Sequence, residues 1–242
     1  MVSKSQIKLI TSLQHKKYRD KTGLFVAEGP KLIAELQNAR LKLHLLLSTE
    51  ALSDPSSNKV FVSEQELQRI SFLKTANSSL ALFEIPTYEN IKSAGLILAL
   101  DAVRDPGNLG TIIRLCDWFG VTQLVCSEDT ADCYNPKVVQ ATMGSIARVQ
   151  VSYCNLSEYI LNSELPVFGA CMDGTDVYTK RWPAEGIIVM GNEANGISDA
   201  VLGALDEQIT IPQFGKRQET ESLNVATATA ILLSEFRRAI GT

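Results

Sequence analysis

Residues 101–120 read DAVRDPGNLGTIIRLCDWFG and follow directly on the apolar run Leu96–Leu100. Within this stretch the apolar residues recur at the helical spacing i, i+3, i+4 and i+7: Leu109, Ile112, Ile113 and Cys116. A short apolar run predicts a buried strand, and this spacing predicts a helix over 109–119 with one face toward a core. The stretch therefore predicts a strand, a turn and a helix, which is one unit of an α/β fold.

The same alternation continues over residues 91–242. Four further short, mostly apolar runs predict buried parallel strands: Gln123–Cys126, Val167–Ala170, Ile187–Met190 and Gln208–Ile211. The segments between and after these runs are predicted to be helices: 136–143, 155–163, 198–205 and 222–240. We therefore expect an α/β domain over 91–242, with helices on both faces of a mostly parallel sheet.

Residues 1–90 predict a smaller α/β unit. Helices are expected at three places: Ser3–Lys17, Pro30–Ala39 and Ser63–Ile70. Ser63 and Glu66 have the spacing of a capping box, which marks the start of the third helix. Strands are expected at four apolar runs: Leu24–Ala27, Leu43–Leu47, Val60–Val62 and Leu80–Ile85. Pro86–Ala94 lacks periodicity and predicts a linker, so the domain boundary is placed after residue 90.

The composition is that of an ordinary globular protein. The chain has 242 residues, of which 45% are hydrophobic and 21% are charged, so a disordered or collagen-like protein is excluded. No apolar run approaches the length of a membrane helix, and the N-terminus lacks the apolar segment of a secretory signal. The five cysteines include no C-x-x-C pair, and with two histidines no zinc-binding spacing can be built. We therefore expect a cytoplasmic protein with reduced thiols and no metal.

Charge is distributed unevenly along the chain. The net charge is −4, but residues 1–90 carry +3 and residues 91–242 carry −7. The positive charge is concentrated in the first 21 residues, which carry +5 because they contain six Lys or Arg residues and only one acidic residue, Asp20. Such a basic arm is suited to phosphate groups, although a solvated helix face explains the same charges, and the sequence leaves both interpretations open. The candidate phosphate contacts are Lys16, Lys17, Arg19 and Lys21.

Two common nucleotide-binding motifs are absent. The turn after Leu96–Leu100 contains no G-x-G-x-x-G, and the chain has no Walker A motif. A nucleotide-dependent oxidoreductase of the doubly wound class is therefore disfavoured.

Two side chains of the helix 109–119 point away from its apolar face. Arg114 lies roughly 150° from the centre of the apolar stripe, and Trp118 follows four residues later on the same side. They are interpreted either as an exposed stacked pair or as part of a subunit interface that holds a reactive arginine. Asn108 precedes the predicted helix, and the sequence favours neither a capping role nor a site role for it.

The segment IIVMGNEANGIS, residues 187–198, places polar residues after another predicted strand. The carboxyl ends of parallel strands are where α/β proteins bind ligands. Gly191 allows a ligand to approach the backbone closely, and Glu193 is placed to pair with Arg114 or to orient it.

The segment ITIPQFGKRQETESLNVATATAILLSEF, residues 209–236, contains a strand that ends at Ile211 and a helix that begins near Ser222. Ser222 and Asn224 are candidate helix caps, and a site role competes evenly with capping. The helix carries apolar residues on two sides, which predicts cover by the sheet on one side and by a partner subunit on the other.

Together these segments resemble the three motifs of the SpoU (TrmH-type) RNA 2′-O-ribose methyltransferases of the SPOUT superfamily. The ordered set is D-P-x-N-x-G-x-x-x-R, then G-N-E-x-x-G, then I-P and S-L-N-V, and the match runs from about residue 96 to 238. Each motif alone is weak evidence for the family, but the three motifs in this order, each at the end of a predicted strand, make the match specific. The segment from Lys17 to Ile33 is similar to the substrate-binding domain of many of these enzymes, a small α/β fold shared with some ribosomal proteins.

The resemblance implies a deep trefoil knot in the C-terminal domain, which is an exception to the rule that chains avoid knots. It implies S-adenosylmethionine in that knot, bound at Gly191, Ile211 and Leu223, and a homodimer whose interface adjoins the site. The family's reactive arginine falls on Arg114. Its supporting polar residues fall on Asn108, Glu193, Ser222 and Asn224.

The implied reaction is direct transfer of the sulfonium methyl group to a ribose 2′-hydroxyl, without a metal. A guanidinium stays protonated in proteins, so we expect Arg114 to bind a phosphate and to stabilise developing alkoxide charge rather than act as a simple base. The resemblance makes RNA the partner of the basic arm, with ribosomal RNA favoured over transfer RNA. A non-catalytic RNA- or ribosome-binding protein of the same fold is the alternative. The loop 213–221 is longer than is usual in the family.

Overall fold

The computed structural model describes residues 2–50, 58–88, 94–215 and 222–240. Along the chain its helices and strands are α1 (Lys4–Ser12), α2 (Lys16–Thr22), β1 (Leu24–Glu28), α3 (Pro30–Asn38), β2 (Leu43–Ser48), β3 (Lys59–Phe61), α4 (Glu64–Gln68), β4 (Ser79–Glu84), β5 (Leu96–Leu100), α5 (Pro106–Trp118), β6 (Gln123–Ser127), α6 (Pro136–Thr142), β7 (Gln150–Cys154), α7 (Leu156–Leu161), β8 (Val167–Asp176), β9 (Gly186–Met190), α8 (Asp199–Leu202), β10 (Glu207–Thr210) and α9 (Val225–Ile240).

The chain forms two compact units. The first comprises residues 1–88 together with 132–148, and the second comprises 89–131 together with 149–242. The predicted boundary after residue 90 falls in 89–93, outside the described residues. The sequence did not indicate that 132–148, which contains α6, packs with the first unit. There the ring of Tyr134 packs at a tilt against that of Phe25, with ring centroids 5.0 Å apart.

The first unit is built on a four-stranded sheet of order β1-β4-β2-β3, in which only β2 and β3 are parallel. Ser63 and Glu66 form the predicted capping box at the start of α4. The predicted single helix Ser3–Lys17 is wrong, because the helix is interrupted between α1 and α2. The Arg19 guanidinium stabilises the interruption, since it donates to the carbonyl oxygens of Leu13 and Gln14 at 2.7 and 2.9 Å.

The second unit is the predicted mostly parallel α/β domain. Its six-stranded sheet has the order β10-β8-β9-β5-β6-β7, and every pair in it is parallel. Strands β5, β6 and β9 are buried along their whole length, which agrees with the apolar runs. The strand β7 was not predicted, because each of its five residues is only half-buried and its sequence QVSYC is not an apolar run.

Helix α9 returns from the β10 edge of the sheet to pack along α5. Its buried side chains follow one continuous face: Val225, Ala226, Thr229, Leu232, Leu233 and Phe236. Arg237 fixes the end of the helix by donating to the carbonyl oxygens of Phe119 and Gly120 at 2.7 and 3.0 Å. Leu223 is exposed and Ala230 is only half-buried, so cover of this helix by a partner subunit stays a prediction.

Candidate active site at the carboxyl edge of the sheet

Three polar side chains from distant parts of the second unit are joined by hydrogen bonds. Asn108 Nδ2 donates to Glu193 Oε1 at 2.7 Å, and Asn224 Nδ2 donates to Asn108 Oδ1 at 2.9 Å. Asn108 follows β5, Glu193 follows β9 and Asn224 precedes α9. We call these residues the polar cluster. Three of the residues predicted for the site therefore lie together.

The start of α5 places Asn108 in the polar cluster. The cap of this helix is Asp105, whose Oδ1 accepts a hydrogen bond from the backbone N–H of Asn108 at 2.7 Å, and Pro106 occupies the first helical position. Of the two interpretations left open for Asn108, the capping role is therefore wrong, and its side chain is available to Glu193. Asp105 was missed, although an acidic residue directly before a proline is a recognised signal for a helix start.

Asn224 has a double role at the start of α9. Its Oδ1 accepts hydrogen bonds from the backbone N–H groups of Ala226 and Thr227 at 3.0 and 3.2 Å, which is N-capping. Its Nδ2 faces Asn108. One amide group therefore caps the helix and joins it to the polar cluster, so the capping interpretation of Asn224 is confirmed and its site role stays a prediction. Ser222 lies two residues before it and is exposed.

The loop after β9 folds back on itself. Asn192 and Gly196 exchange two backbone hydrogen bonds of 2.9 Å each, and a Cβ atom on Gly191 would lie 2.3 Å from the carbonyl carbon of Gly196. Glycine is required at 191 because the chain's own backbone occupies the space of a side chain. Its predicted contact with a ligand remains a prediction.

Hydrogen bonds join the loops that follow β5, β6 and β9. Asn192 Nδ2 donates to the carbonyl oxygen of Ala102 at 2.7 Å, and the N–H of Ala102 donates to Ser127 Oγ at 2.8 Å. Buried Asp101 accepts from the N–H of Ser198 at 2.7 Å. Ala102 has φ of 57°, a left-handed conformation that a non-glycine residue adopts only when its surroundings impose it. These bonds hold the three loops in one arrangement. The sequence did not indicate that Asp101, Asn192 and Ser127 take part in it.

An anionic side chain lies beside these loops. The hydroxyl of Ser127 donates to Asp129 at 2.7 Å, and Arg104 donates to the same carboxylate at 2.9 Å. The Ser127 hydrogen bond, followed by that of Arg104, lowers the pKa of Asp129. The charge of Arg104 is therefore already paired.

Arg114 and Trp118 lie on the exposed face of α5, as predicted. Trp118 is 84% exposed, and Gly107, Thr111 and Arg114 are exposed on the same face. Within the described residues no hydrogen bond or ion pair joins Arg114 to Glu193, whose Oε1 is bonded to Asn108 instead. The structure of one chain therefore does not bring Arg114 into the polar cluster.

The residues predicted to bind the cofactor flank the polar cluster in sequence. Gly191 precedes Glu193 by two positions, and Leu223 directly precedes Asn224. Leu223 is 49% exposed and Ile211 is half-buried, so apolar surface is accessible after β10 and before α9.

The predicted phosphate contacts of the basic arm divide into two groups. Lys16, Lys17 and Lys21 are exposed on α2. Arg19 is 2% exposed and forms a salt bridge with Asp132, with Nε to Oδ2 at 3.0 Å. The prediction that Arg19 contacts phosphate is wrong in this structure, because its guanidinium is buried and holds α2 in place.

Cysteine and metal chemistry find no support in the described residues. Burial raises the pKa of the Cys116, Cys154 and Cys171 thiols, which keeps them protonated and unreactive. Among the described residues no group of three or more His, Cys, Asp or Glu side chains is arranged for a metal ion. In the same part of the chain no helix combines the length and the apolar character of a membrane span.

Two family models match the chain. Residues 95–234 match the SpoU rRNA Methylase family, and residues 4–81 match the MRM3-like substrate binding domain. The chain is 32% identical to the 23S rRNA (guanosine(2553)-2′-O)-methyltransferase RlmP of Bacillus subtilis, over 93% of both chains.

Solved structures agree with these matches. A protein of the TrmH family from Porphyromonas gingivalis superimposes with a TM-score of 0.90 at 40% identity, over 98% of this chain and 99% of that one. An AdoMet-bound rRNA methyltransferase from Sinorhizobium meliloti superimposes with a TM-score of 0.87 at 28% identity, over 100% of this chain and 98% of that one.

Proposed function

Because the chain belongs to the SpoU rRNA methylase family, we propose that it methylates a ribose 2′-hydroxyl of RNA, with ribosomal rather than transfer RNA as substrate. The observation that carries this proposal is the polar cluster, which joins the three family motifs at one edge of the sheet. The named relatives that act on 23S rRNA favour ribosomal RNA. We further propose that this reaction takes place in the cytoplasm.

The residues at the carboxyl edge fit S-adenosylmethionine. The exposed part of Leu223 and the half-buried Ile211 would offer apolar surface for its adenine ring, and we assign Gly191 to the same site. S-adenosylmethionine supplies a methyl group on a positively charged sulfur, so its transfer needs no metal. The chain must align the hydroxyl with that methyl group, and it must stabilise the negative charge that develops on the hydroxyl oxygen as its proton is lost to solvent.

The polar cluster supplies the alignment. Asn224 fixes the start of α9, Asn108 fixes the start of α5, and Glu193 fixes the loop after β9. Since three loops are held by direct bonds between side chains, a ligand between them meets a site that needs little reorganisation. Exposed Ser222 completes the rim of the site before Asn224.

Arg114 supplies the positive charge. We assign it to a phosphate next to the target ribose and to the developing alkoxide. Because Arg114 is exposed and lies outside the polar cluster of its own chain, we assign it to the site of the other subunit in a homodimer. The exposed stripe of α5, which includes Trp118, forms that interface.

The proposed domain arrangement includes the C-terminal trefoil knot. Its support is the position of α9, which follows the edge strand β10 in sequence yet packs along α5, with Asn224 bonded to Asn108 and Arg237 bonded to Phe119. The first unit is assigned to RNA binding, with Lys16, Lys17 and Lys21 as phosphate contacts.

The test is transfer of a labelled methyl group from S-adenosylmethionine to total RNA of a strain that lacks the gene, followed by mapping of 2′-O-methyl sites. We expect incorporation at one ribosomal RNA position that is unmethylated in that strain. RNA binding without incorporation would support the non-catalytic alternative and contradict the proposal. Incorporation into transfer RNA alone would contradict the substrate assignment.

A further inference from the structure

Two aromatic rings lie exposed just after β8 and β10. Tyr178 is 39% exposed and Phe214 is 83% exposed, with ring centroids 6.2 Å apart and planes inclined by 37°. We call them the aromatic pair. Four neighbouring strands of the sheet are parallel: β10, β8, β9 and β5. Their carboxyl ends therefore lie together along the carboxyl edge of the sheet. The aromatic pair therefore lies on the edge that carries the polar cluster.

The strands that precede Glu193 and Phe214 lie close together in the sheet. Only β8 lies between β10 and β9, and neighbouring strands are about 4.8 Å apart, so roughly 10 Å separate the axes of β10 and β9. Glu193 follows β9 and Phe214 follows β10. A nucleotide strand that places one ribose at the polar cluster can place a neighbouring base at the aromatic pair.

The backbone under Tyr178 is fixed. Its N–H donates to Asp176 Oδ1 at 2.8 Å, the N–H of Val177 donates to the carbonyl oxygen of Thr210 at 3.1 Å, and the indole N–H of Trp182 donates to the carbonyl oxygen of Val177 at 3.4 Å. A ring on such a turn offers its face to a ligand with little loss of conformational entropy.

The surroundings of the aromatic pair favour a planar base over a protein surface. In sequence, Asp176 and Thr179 lie beside Tyr178 and Gln213 precedes Phe214, so polar residues adjoin both rings along the chain. A stable protein interface buries about 800 Å² on each partner around an apolar centre, which is more than these two rings provide. Unpaired bases of RNA, in contrast, are commonly bound by stacking on one or two aromatic side chains.

We propose that Tyr178 and Phe214 stack on an unpaired base of the RNA substrate next to the methylated nucleotide. This inference rests on the proposed function and adds a specificity element to it. The aromatic pair selects single-stranded RNA, because a base inside a duplex has no free face. It leaves S-adenosylmethionine binding unchanged.

The experiment measures binding of the full-length protein to two labelled probes: a short single-stranded RNA and a blunt duplex that contains the same strand. We expect Phe214→Ala and Tyr178→Ala to weaken binding of the single strand by roughly 5- to 100-fold, which is the effect of losing one stacked base. Binding of the duplex stays unchanged. Met172→Ala is the matched control, because Met172 is exposed and apolar on β8 but has no ring.

Two conservative variants separate stacking from general apolar contact. Phe214→Trp keeps a flat ring and retains wild-type binding, whereas Phe214→Leu keeps apolar surface and loses it. Equal losses for single strand and duplex, or wild-type binding by Phe214→Leu, would overturn the proposal. A change of sedimentation coefficient in Phe214→Ala would also overturn it, because the ring would then be a subunit contact.

Methyl transfer distinguishes this inference from the proposed function. If the wild type transfers no methyl group to any RNA, the proposed function fails, and the assignment of the aromatic pair fails with it. If the wild type transfers methyl groups and Phe214→Ala has an unchanged KM for RNA, only the stacking role fails. We expect Phe214→Ala to raise the KM for RNA while the dissociation constant of S-adenosylmethionine stays at the wild-type value.

Discussion

Asn224 donates a hydrogen bond from Nδ2 to Oδ1 of Asn108 at 2.9 Å, although 116 positions separate the two residues in sequence. The same Asn224 side chain caps α9 through its oxygen atom. The two functions of this amide are chemically separable, since an aspartate keeps the accepting oxygen and loses the donor.

We predict that Asn224→Asp keeps wild-type stability and loses most methyl transfer, because the cap is retained and the bond to Asn108 is lost. Asn224→Ala removes both, and its free energy of unfolding falls by about 1 kcal/mol, as is typical of a lost cap. Urea unfolding and methyl incorporation measure the two effects. Equal activity of Asn224→Asp and wild type would contradict a role of the Asn224–Asn108 bond in the reaction.

Arg114→Ala is expected to abolish methyl transfer and to leave the fold and S-adenosylmethionine binding unchanged. The reason is its exposure and its position outside the polar cluster. Calorimetric titration with S-adenosylmethionine and a methyl incorporation assay separate the two effects, and Arg181→Ala is the control for loss of an exposed arginine in the same unit. Weakened cofactor binding in Arg114→Ala would assign this residue a structural role.

A mixing experiment tests whether Arg114 serves the partner's site. Arg114→Ala and Asn224→Ala are each inactive, but a mixed dimer contains one site with both residues intact. After random exchange of subunits in a two-fold dimer, about a quarter of wild-type activity is expected. If the mixture stays inactive while its subunits exchange, Arg114 acts within its own chain.

The dimer itself is tested at Trp118. We expect Trp118→Glu to produce monomers, because a charge buried at an interface without a partner costs several kcal/mol. Leu161→Glu is the matched control, since Leu161 is 71% exposed on α7 of the same unit. Analytical ultracentrifugation decides between the outcomes, and a wild type that is monomeric at micromolar concentration would refute the proposed interface.

The basic arm gives a salt-dependent prediction. Replacing Lys16, Lys17 and Lys21 by Gln should flatten the slope of log affinity for RNA against log salt by about two units, if each contacts one phosphate. Arg19→Gln should leave the slope unchanged and lower the free energy of unfolding by about 2–4 kcal/mol, since it leaves Asp132 without its partner. Filter binding over a salt series and urea unfolding are the measurements. An unchanged slope in the triple variant would identify these lysines as a solvated face only.

Glu207 gives a prediction about pH. Its carboxylate binds Lys180, which is 9% exposed and lies over the ring of Phe168. The hydrogen bond from Lys180 is the largest of the effects that lower the pKa of Glu207. A lowered pKa in the folded state stabilises the protein above the ordinary carboxyl pKa, and this stabilisation is lost as the pH falls. Glu207→Gln should therefore reduce the free energy of unfolding by about 1–2 kcal/mol at pH 7. The difference from wild type should shrink in acid, and a constant difference across pH would contradict the charge pairing.

The sequence by itself determined the α/β class, most strands and the motif residues. Runs such as Leu96–Leu100 are apolar throughout because these strands are buried on both faces, and that pattern is visible without a structure. The capping box at Ser63 was also predictable, because it depends on residues three positions apart. Arg114 and Trp118 were correctly placed on the exposed face, since helical periodicity fixes which side a residue occupies.

Only the tertiary structure decided which distant residues meet. The bonds of Asn108 to Glu193 and to Asn224 depend on the order of strands in the sheet and on the return of α9, and no local pattern encodes either. The burial of Arg19 was equally hidden, because a lysine-rich helix gives no sign that one cation binds Asp132 more than a hundred positions away. Local structure follows from short-range sterics and hydrogen bonding, which a short segment contains. Pairing across the fold is determined by how the whole chain packs, and for that reason the position of a residue in the motif did not reveal its partner.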